Sequence, residues 1–333
     1  MQQKILILGI SSFAGASFAD YLLNYSNLNI IGTFNKKNKL PFKYFLERNK
    51  NFKKIKLIKL NLSLKKNNLC NLVSKIKPDY IIDFASVCMV NESWKYPNHY
   101  FNVNFNSKID FINNLNKQKN LKKYIYIGTP EIFGSSSKPI SEKNMNFNPS
   151  TPYASSKLAL EIFLNNFIND SKYKIIIARF SNFYGLGQPM YRLIPKLIYC
   201  INKGVKFPLQ GTGNSKRDFI FDQDFNNGLF KIIKKGKVGN KYHFSGEKYH
   251  KIKDIIKEVI KIKNYSWKKL IKTTNERKGR DKNYFLDCKK TKQELRWQCN
   301  IDLRNGLKKT IKYYDEIIKH MNINETKFKI KLN

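Results

Sequence analysis

The sequence predicts an α/β protein, a Rossmann-like doubly wound parallel sheet followed by a smaller C-terminal α/β lobe. Three observations carry that prediction. Apolar, strand-length runs recur through the first half of the chain, each separated from the next by a helix-length stretch. The first run ends in a glycine, and a short turn opens from it directly onto a helical pattern. After Phe180 the alternation breaks into shorter pieces.

The strands are read at Lys4–Leu8, Ile30–Phe34, Ile55–Leu60, Tyr80–Phe84, Tyr124–Ile127 and Ile175–Ala178. They are continuous apolar runs, as expected of strands buried on both faces. Between them, helices are expected at Phe13–Tyr25, Leu64–Lys75, Asn98–Asn116 and Tyr153–Asn169. The second half offers a helix at Met190–Lys203 and further helices near Ile252–Ile262 and Asp302–Lys319. Asp222–Phe244 is expected to cross back and extend the sheet. This gives one domain of residues 1–178 plus about 222–246, and a second lobe of 179–221 and 247–333.

Composition narrows the class. A chain of 333 residues with 41% hydrophobic and 14% aromatic content buries a real core, which excludes a disordered protein. The cysteines, Cys70, Cys88, Cys200, Cys288 and Cys299, are scattered without a CxxC pair. That pattern suits a reducing compartment and argues against a structural zinc site, so no metal is expected. No apolar run approaches the roughly 20 residues that cross a bilayer, and Met1–Leu8 lacks a signal-peptide layout. The expectation is a soluble, cytoplasmic protein with no membrane partner. Sixty-three Lys and Arg against 24 Asp and Glu leave a charge of +39. The excess is mostly lysine, spread evenly and accompanied by Asn and Ile. AT-rich codons explain that combination without a specific nucleic-acid partner, although the field attracts anionic ligands.

The turn Gly9-Ile10-Ser11-Ser12-Phe13-Ala14-Gly15 joins the first strand to the first helix. Glycines there allow a tight turn and close approach of backbone to a pyrophosphate, and the helix start supplies free amides. Ser12 stands where a third glycine is usual; its hydroxyl can donate to phosphate. The bland alternative is a plain strand-to-helix turn. At the second strand tip, Thr33-Phe34-Asn35-Lys36-Lys37 has no carboxylate for a ribose 2′-hydroxyl. A basic loop suits a 2′-phosphate, which favours NADP over NAD.

Tyr153-Ala154-Ser155-Ser156-Lys157 is a YxxxK pair on one face of a helix start. An ammonium beside a phenol favours the phenolate, which makes Tyr153 a base for a sugar hydroxyl. The strand Tyr124–Ile127 ends in Gly128-Thr129-Pro130-Glu131-Ile132-Phe133-Gly134, and strand C-termini of a parallel sheet open on the ligand crevice. Thr129 and Glu131 are therefore expected to face Tyr153. A carboxylate there can take a carbon-bound proton next to a carbonyl. Alternatively, Glu131 opens an exposed turn.

With these motifs in order, the chain resembles the extended short-chain dehydrogenases/reductases that modify nucleotide-sugars. The resemblance also rests on Asp83-Phe84-Ala85, Asn104, Pro149–Pro152, Ala178–Gly185, Gly211-Thr212-Gly213, Arg217–Asp224 and Arg277–Asp281, and covers nearly the whole chain. Thr-x-Glu looks like the 4,6-dehydratases of GDP-mannose and dTDP-glucose. The resemblance implies a dinucleotide, tightly bound and recycled, against Gly9, Ser11, Ser12, Phe13, Gly15, Asn35, Lys36, Asn61, Leu62 and Ala85. Tyr153 and Lys157 would stand at its nicotinamide end. It implies that Ser86 and Thr129, together with Asn182, Arg217 and Arg277 of the second lobe, bind a nucleotide-diphosphate sugar. It implies a reaction in which Tyr153 takes the C4 hydroxyl proton, Thr129 holds O4, and Glu131 takes the C5 proton as water leaves C6. Pro130 departs from the pattern, since dehydratases place Asp or Ser there; Glu131 then serves as base and acid, or a water helps. An epimerase, a 4-keto reductase and a decarboxylase of nucleotide-linked glucuronic acid remain the alternatives within the family, and a non-catalytic nucleotide or nucleic-acid binder the alternative outside it. The decarboxylase needs a cation for the substrate carboxylate that the sequence does not identify. A homodimer or larger assembly is implied through the helices Asn98–Asn116 and Tyr153–Asn169. His243 and His250 are read as structural.

Overall fold

Seven strands run parallel through the middle of the molecule, and their order explains where a ligand can enter. A computed structural model describes residues 2–35, 42–64, 68–276, 278–279, 281–320 and 328. The chain lays down β1 (Lys4–Leu8), β2 (Asn29–Phe34), β3 (Lys56–Lys59), β4 (Tyr80–Asp83), β5 (Lys123–Gly128) and β6 (Ile175–Phe180). It continues with β7 (Asn182–Tyr184), β8 (Phe207–Gln210), β9 (Lys216–Phe221), β10 (Lys241–Phe244), β11 (Tyr249–Lys251) and β12 (Ile271–Thr274). The central sheet has the order β10-β6-β5-β4-β1-β2-β3. Winding proceeds outward from β1 in one direction and from β4 in the other, so the tips of β1 and β4 flank the switch point where such sheets bind ligands. Leu8 pairs with Thr33 on one side and Asp83 on the other, which places Gly9 at that point.

Alternation along each strand builds two cores. Ile5, Ile7, Ile82, Ile125 and Ile176 share one face with the helices Phe13–Tyr25 and Asp222–Lys235. Leu6, Leu8, Ile81, Tyr124, Tyr126, Ile175 and Ile177 share the other with Leu69–Ile76, Ile109–Asn113 and Pro152–Asn165. The two-sided coverage is what the unbroken apolar strands require. The expected return of the chain is present: the helix Asp222–Lys235 leads to β10, whose Lys241 pairs with Ile177 at the sheet edge. The remaining segments form the small sheets β11-β9-β7 and β12-β8 over a third core centred on Leu197, Ile198, Val259 and Ile311.

The helix expected over Asn98–Asn116 is not continuous. Two short helices, Val90–Lys95 and Pro97–Asn104, are followed by Ile109–Asn113 with 3-10 turns on either side. Phe105, at φ −129° and ψ −70°, breaks the run between two residues with buried polar duties. Asn104 Oδ1 accepts from Val87 N at 2.8 Å while its Nδ2 donates to Ser156 Oγ at 2.9 Å. Lys108 reaches Asp83 beneath the sheet tip, with Nζ 2.7 Å from Oδ2. The helix expected at Leu64–Lys75 begins later, at Leu69. No helix among the described residues is long and apolar enough to cross a membrane.

Candidate functional site

The turn after β1 is built by exclusion. Gly9 has φ +79°, and a Cβ on it would come within 3.0 Å of Ala85 Cα. A Cβ on Gly15 would sit 2.5 Å from Gly9 O, so backbone packs on backbone across the switch point. Ser12 is the N-cap of Phe13–Tyr25, its Oγ accepting from Gly15 N at 3.0 Å. The hydroxyl proton remains available to a ligand, because a hydroxyl accepts and donates at once. Phe13 is buried and stacks on Phe183 with ring centroids 4.2 Å apart.

Beneath Ala85 lies a closed polar network. Asp83 Oδ1 accepts from Ala85 N at 3.0 Å, Tyr124 OH donates to Asp83 Oδ2 at 2.8 Å, and Lys108 Nζ donates to Ala85 O at 2.7 Å. The ion pair of Asp83 and Lys108 is fully buried, so this loop is held by satisfied charge rather than by packing alone. Ser86 follows in a half-buried position. At the tip of β3, Asn61 Oδ1 accepts from Ser63 N at 3.0 Å, and the neighbouring Leu62 is buried. Asn35 is half-buried at the tip of β2; Lys36 and Lys37 lie outside the described residues. The donor set therefore suits a dinucleotide in its capped helix start and tight glycine contacts.

The YxxxK face and the tip of β5 do converge. Thr151 caps Pro152–Asn165 through Ala154 N at 3.1 Å, which sets Tyr153 in the first turn. Thr129 hydrogen-bonds the Tyr153 side chain, and its Oγ1 also accepts from Glu131 N at 3.3 Å. The Glu131 charge bears on both Tyr153 and Tyr284. Burial, Glu131 and Cys88 together push the Tyr153 phenol well above its ordinary range. Lys157, four residues further on, is buried on the same helix. Its Nζ donates to Ile127 O at 2.8 Å and lies 4.3 Å from the Tyr126 ring centroid. Burial first, then Lys108, brings its ammonium down to about 7, against Asp83, Glu161 and Cys88.

One further turn along the same helix face stands Glu161, which the sequence reading passed over. It pairs with Arg179 on β6, and Arg179 Nη1 contacts His243 Nε2 on β10 at 2.6 Å. His243 Nδ1 lies 3.0 Å from Ile140 O, and all three side chains are fully buried. Arg179 also lies 5.0 Å from the Phe133 ring centroid, so the network underpins the segment that carries Glu131. A spacing of four beyond Lys157 was the available signal for Glu161.

On β7, Asn182 Nδ2 donates to Asp218 O at 3.2 Å, and Tyr284 OH donates to Asn182 Oδ1 at 3.1 Å. Arg217 Nη1 donates to Lys216 O at 2.8 Å and Lys282 O at 3.1 Å, Nη2 to Asp281 O at 2.6 Å, and the guanidinium stacks 4.4 Å from the Tyr284 centroid. The side chain thus braces the 281–284 segment. Tyr284, held up at about 12 by burial against the Arg217 charge, links this cluster to Glu131. Arg277 and Arg280 lie outside the described residues. No group of three or more His, Cys, Asp or Glu side chains among the described residues is placed to hold a metal.

The family model described as GDP-mannose 4,6 dehydratase matches residues 6–310. A dTDP-glucose 4,6-dehydratase of Haemophilus influenzae is 26% identical, over 93% of this chain and 97% of its own. Among solved structures, a dTDP-glucose 4,6-dehydratase of Bacillus anthracis in complex with NAD superposes with a TM-score of 0.82 at 22% identity, covering 94% of this chain and 97% of that one. A UDP-glucuronic acid 4-epimerase of Bacillus cereus, in complex with UDP-glucuronic acid and NAD, gives 0.85 at 23% identity, covering 95% and 100%.

Proposed function

The chain belongs to the family described as GDP-mannose 4,6 dehydratase, and from that premise we propose that it is a nucleotide-sugar 4,6-dehydratase, a lyase yielding a 4-keto-6-deoxy sugar. The observation that carries this reading is the meeting of Thr129, Glu131 and Tyr153 at the tip of β5. In the proposed reaction Tyr153 takes the proton of the C4 hydroxyl, with Thr129 holding the C4 oxygen. A nicotinamide dinucleotide bound along Gly9–Gly15 supplies a hydride acceptor at C4 and a donor at C6. The C4 ketone acidifies the C5 proton, and Glu131 is the base that removes it as the C6 hydroxyl leaves. Pro130 has no proton to give, so Glu131 also protonates the departing hydroxyl, or a water does, and C5 regains a proton from solvent as hydride reaches C6.

The cofactor in this reading is NAD and not the NADP suggested by the second strand tip. The solved relatives named above carry NAD, and Asn35, the last described residue of that tip, brings no charge to a 2′-phosphate. The division into a dinucleotide-binding domain, residues 1–178 with about 222–246, and a sugar-nucleotide lobe belongs to the same proposal. So does a cytoplasmic homodimer or larger assembly; Ile162, 48% exposed on the catalytic helix, offers an apolar contact for it. The second reading is a 4-epimerase, favoured by Pro130 and by the fold shared with the Bacillus cereus enzyme.

Incubation with GDP-, dTDP-, CDP- and UDP-sugars, followed by mass spectrometry, tests the proposal. Loss of one water with formation of an enolisable ketone supports it. An unchanged mass with altered sugar stereochemistry points to the epimerase, and evolved carbon dioxide to a decarboxylase. Glu131→Gln and Tyr153→Phe should each lower kcat by about 10²–10⁴-fold with folding retained. Full turnover in both variants would remove the mechanism.

A further inference from the structure

The chain that leaves β2 and the chain that leaves β6 belong to opposite wings of the sheet, so a contact between them spans the switch point beside Gly9. The side chain of Phe45 makes such a contact. After β2, the single helical turn Phe42–Glu47 is fastened to the first helix. Leu46 is fully buried in the core that also holds Phe18, Ala19 and Leu22, and Asn49 Nδ2 donates to Asp20 Oδ1 at 2.7 Å. The neighbouring Phe45 ring lies 6.1 Å from that of Phe13, the first residue of the helix that opens from the glycine turn. Phe45 also rests on Gly187, where a Cβ would come within 2.4 Å of its Cε2 and 2.8 Å of its Cδ2. Gly187 has φ +72°, so backbone and seat both call for glycine. The turn presenting it is fixed: Leu186 N donates to Asp222 Oδ2 at 3.1 Å, and Gln188 Nε2 to Phe183 O at 3.1 Å. Tyr184 and Met190, on either side, belong to the third core.

We propose that Phe45, seated on Gly187, is a clasp that governs entry and exit of the dinucleotide at the glycine turn. The proposal rests on the reading of Gly9–Gly15 as the cofactor site. A ring held between Phe13 on one wing and the fixed turn at Gly187 on the other closes the crevice beside the helix start, where the free amides are. Phe45 is only half-buried, and its ring has no hydrogen bond to break when it leaves its seat. The parts on either side stay anchored, Leu46 by burial and the 186–188 turn by its hydrogen bonds. A tip that opens at modest cost on a fixed base is what gating requires. The proposed reaction returns the dinucleotide to its starting form in every cycle, so turnover proceeds with the clasp shut.

The test uses the full chain and NADH. Stopped-flow fluorescence gives the association rate constant, and a chase of NADH-loaded protein with excess NAD gives the dissociation rate constant. A clasp bars entry as well as exit. Phe45→Ala should therefore raise both rate constants about tenfold, the size of a lost aromatic contact, and leave their ratio near the wild-type value. Gly187→Ala, which unseats the ring from the other side, should give the same paired increase. Unchanged rate constants in folded Phe45→Ala overturn the proposal. A faster dissociation with unchanged association overturns it as well, since Phe45 would then be an ordinary ligand contact. Should the alanine variant fail to fold, Phe45→Leu, which keeps an apolar side chain without the ring, reads the same pair of rates. Wild-type protein that takes up no dinucleotide overturns the cofactor site and the clasp with it, whereas wild-type binding with unmoved rates in the variants removes the clasp alone.

Discussion

Two buried ion pairs, one on β4 and one on β6 of the same sheet, are built differently. The pair of Asp83 and Lys108 closes on itself. The ammonium donates to both carboxylate oxygens and to Ala85 O, and the carboxylate also accepts from Ala85 N and Tyr124 OH. The pair of Glu161 and Arg179 is instead one link in a longer chain that runs through His243 to Ile140 and joins the catalytic helix, β6 and the edge strand β10. The first pair sets one loop at the cofactor end. The second makes the position of the Tyr153 helix depend on β10, whose His243 lies 64 residues beyond Arg179. A closed network tolerates the loss of a member better than an extended one, because its remaining donors still serve the charge left behind.

The largest expected effect breaks that contrast directly. Arg179→Met leaves Glu161 buried without its ion-pair partner and His243 Nε2 without its neighbour, and should cost about 3–5 kcal/mol. Lys108→Met should cost about 1–3 kcal/mol, since Tyr124 and the Ala85 amide still donate to Asp83. Urea denaturation of both variants checks the ranking; equal losses would mean the two networks are equivalent. A Glu161→Leu, Arg179→Met double variant should recover most of the stability, as replacements of whole buried pairs do. The two variants should also separate by function. Lys108→Met should weaken NAD binding through the Ala85 loop, whereas Arg179→Met should lower turnover more than cofactor affinity.

This contrast also marks what the sequence could disclose. β1 and the helix Phe13–Tyr25 fall where their apolar pattern places them, because local period and a Ser cap suffice to define them. The tip of β5 and the YxxxK helix were legible for the same reason, strand and helix periods being local. The partners that tune them were not. Lys108 reads as one lysine among many until Asp83 comes to lie 2.7 Å away. Phe45 has no motif that points to Gly187, far later in the chain. The unbroken helix expected over Asn98–Asn116 failed because Asn104 and Lys108 answer to buried partners in other elements, a demand that periodicity does not contain.

A third buried carboxylate sharpens the comparison at a smaller scale. Asp222 opens the helix after β9 and accepts from Leu186 N at 3.1 Å, with no ion pair among the described residues. Burial raises it to about 7, with backbone amides and a more distant Lys309 opposing. The unfolded value is about 3.9, so the folded chain holds the extra proton between the two values. Its contribution to stability is therefore greatest at low pH and is lost as pH rises from about 4 to 7. Asp222→Asn should flatten the melting temperature across that window, with its greatest advantage over wild type above pH 7. A wild-type profile without that fall would mean that the ionised carboxylate is as well solvated as those of the two ion pairs.

The smallest effect concerns Ser12, the one substitution in the glycine turn. Ser12 has φ −71° and ψ 162°, which any residue adopts, so glycine is not needed there for backbone reasons. Its Oγ takes the Gly15 amide, which is the work of a cap. Ser12→Ala should therefore cost about 1 kcal/mol of stability and Ser12→Gly only a few tenths. Affinity for NAD sorts the variants differently if the hydroxyl also donates to phosphate. Alanine and glycine then weaken binding to a similar extent, because both lack the donor. Calorimetric titration with NAD reads this directly, and wild-type affinity in Ser12→Gly would reduce Ser12 to a cap alone.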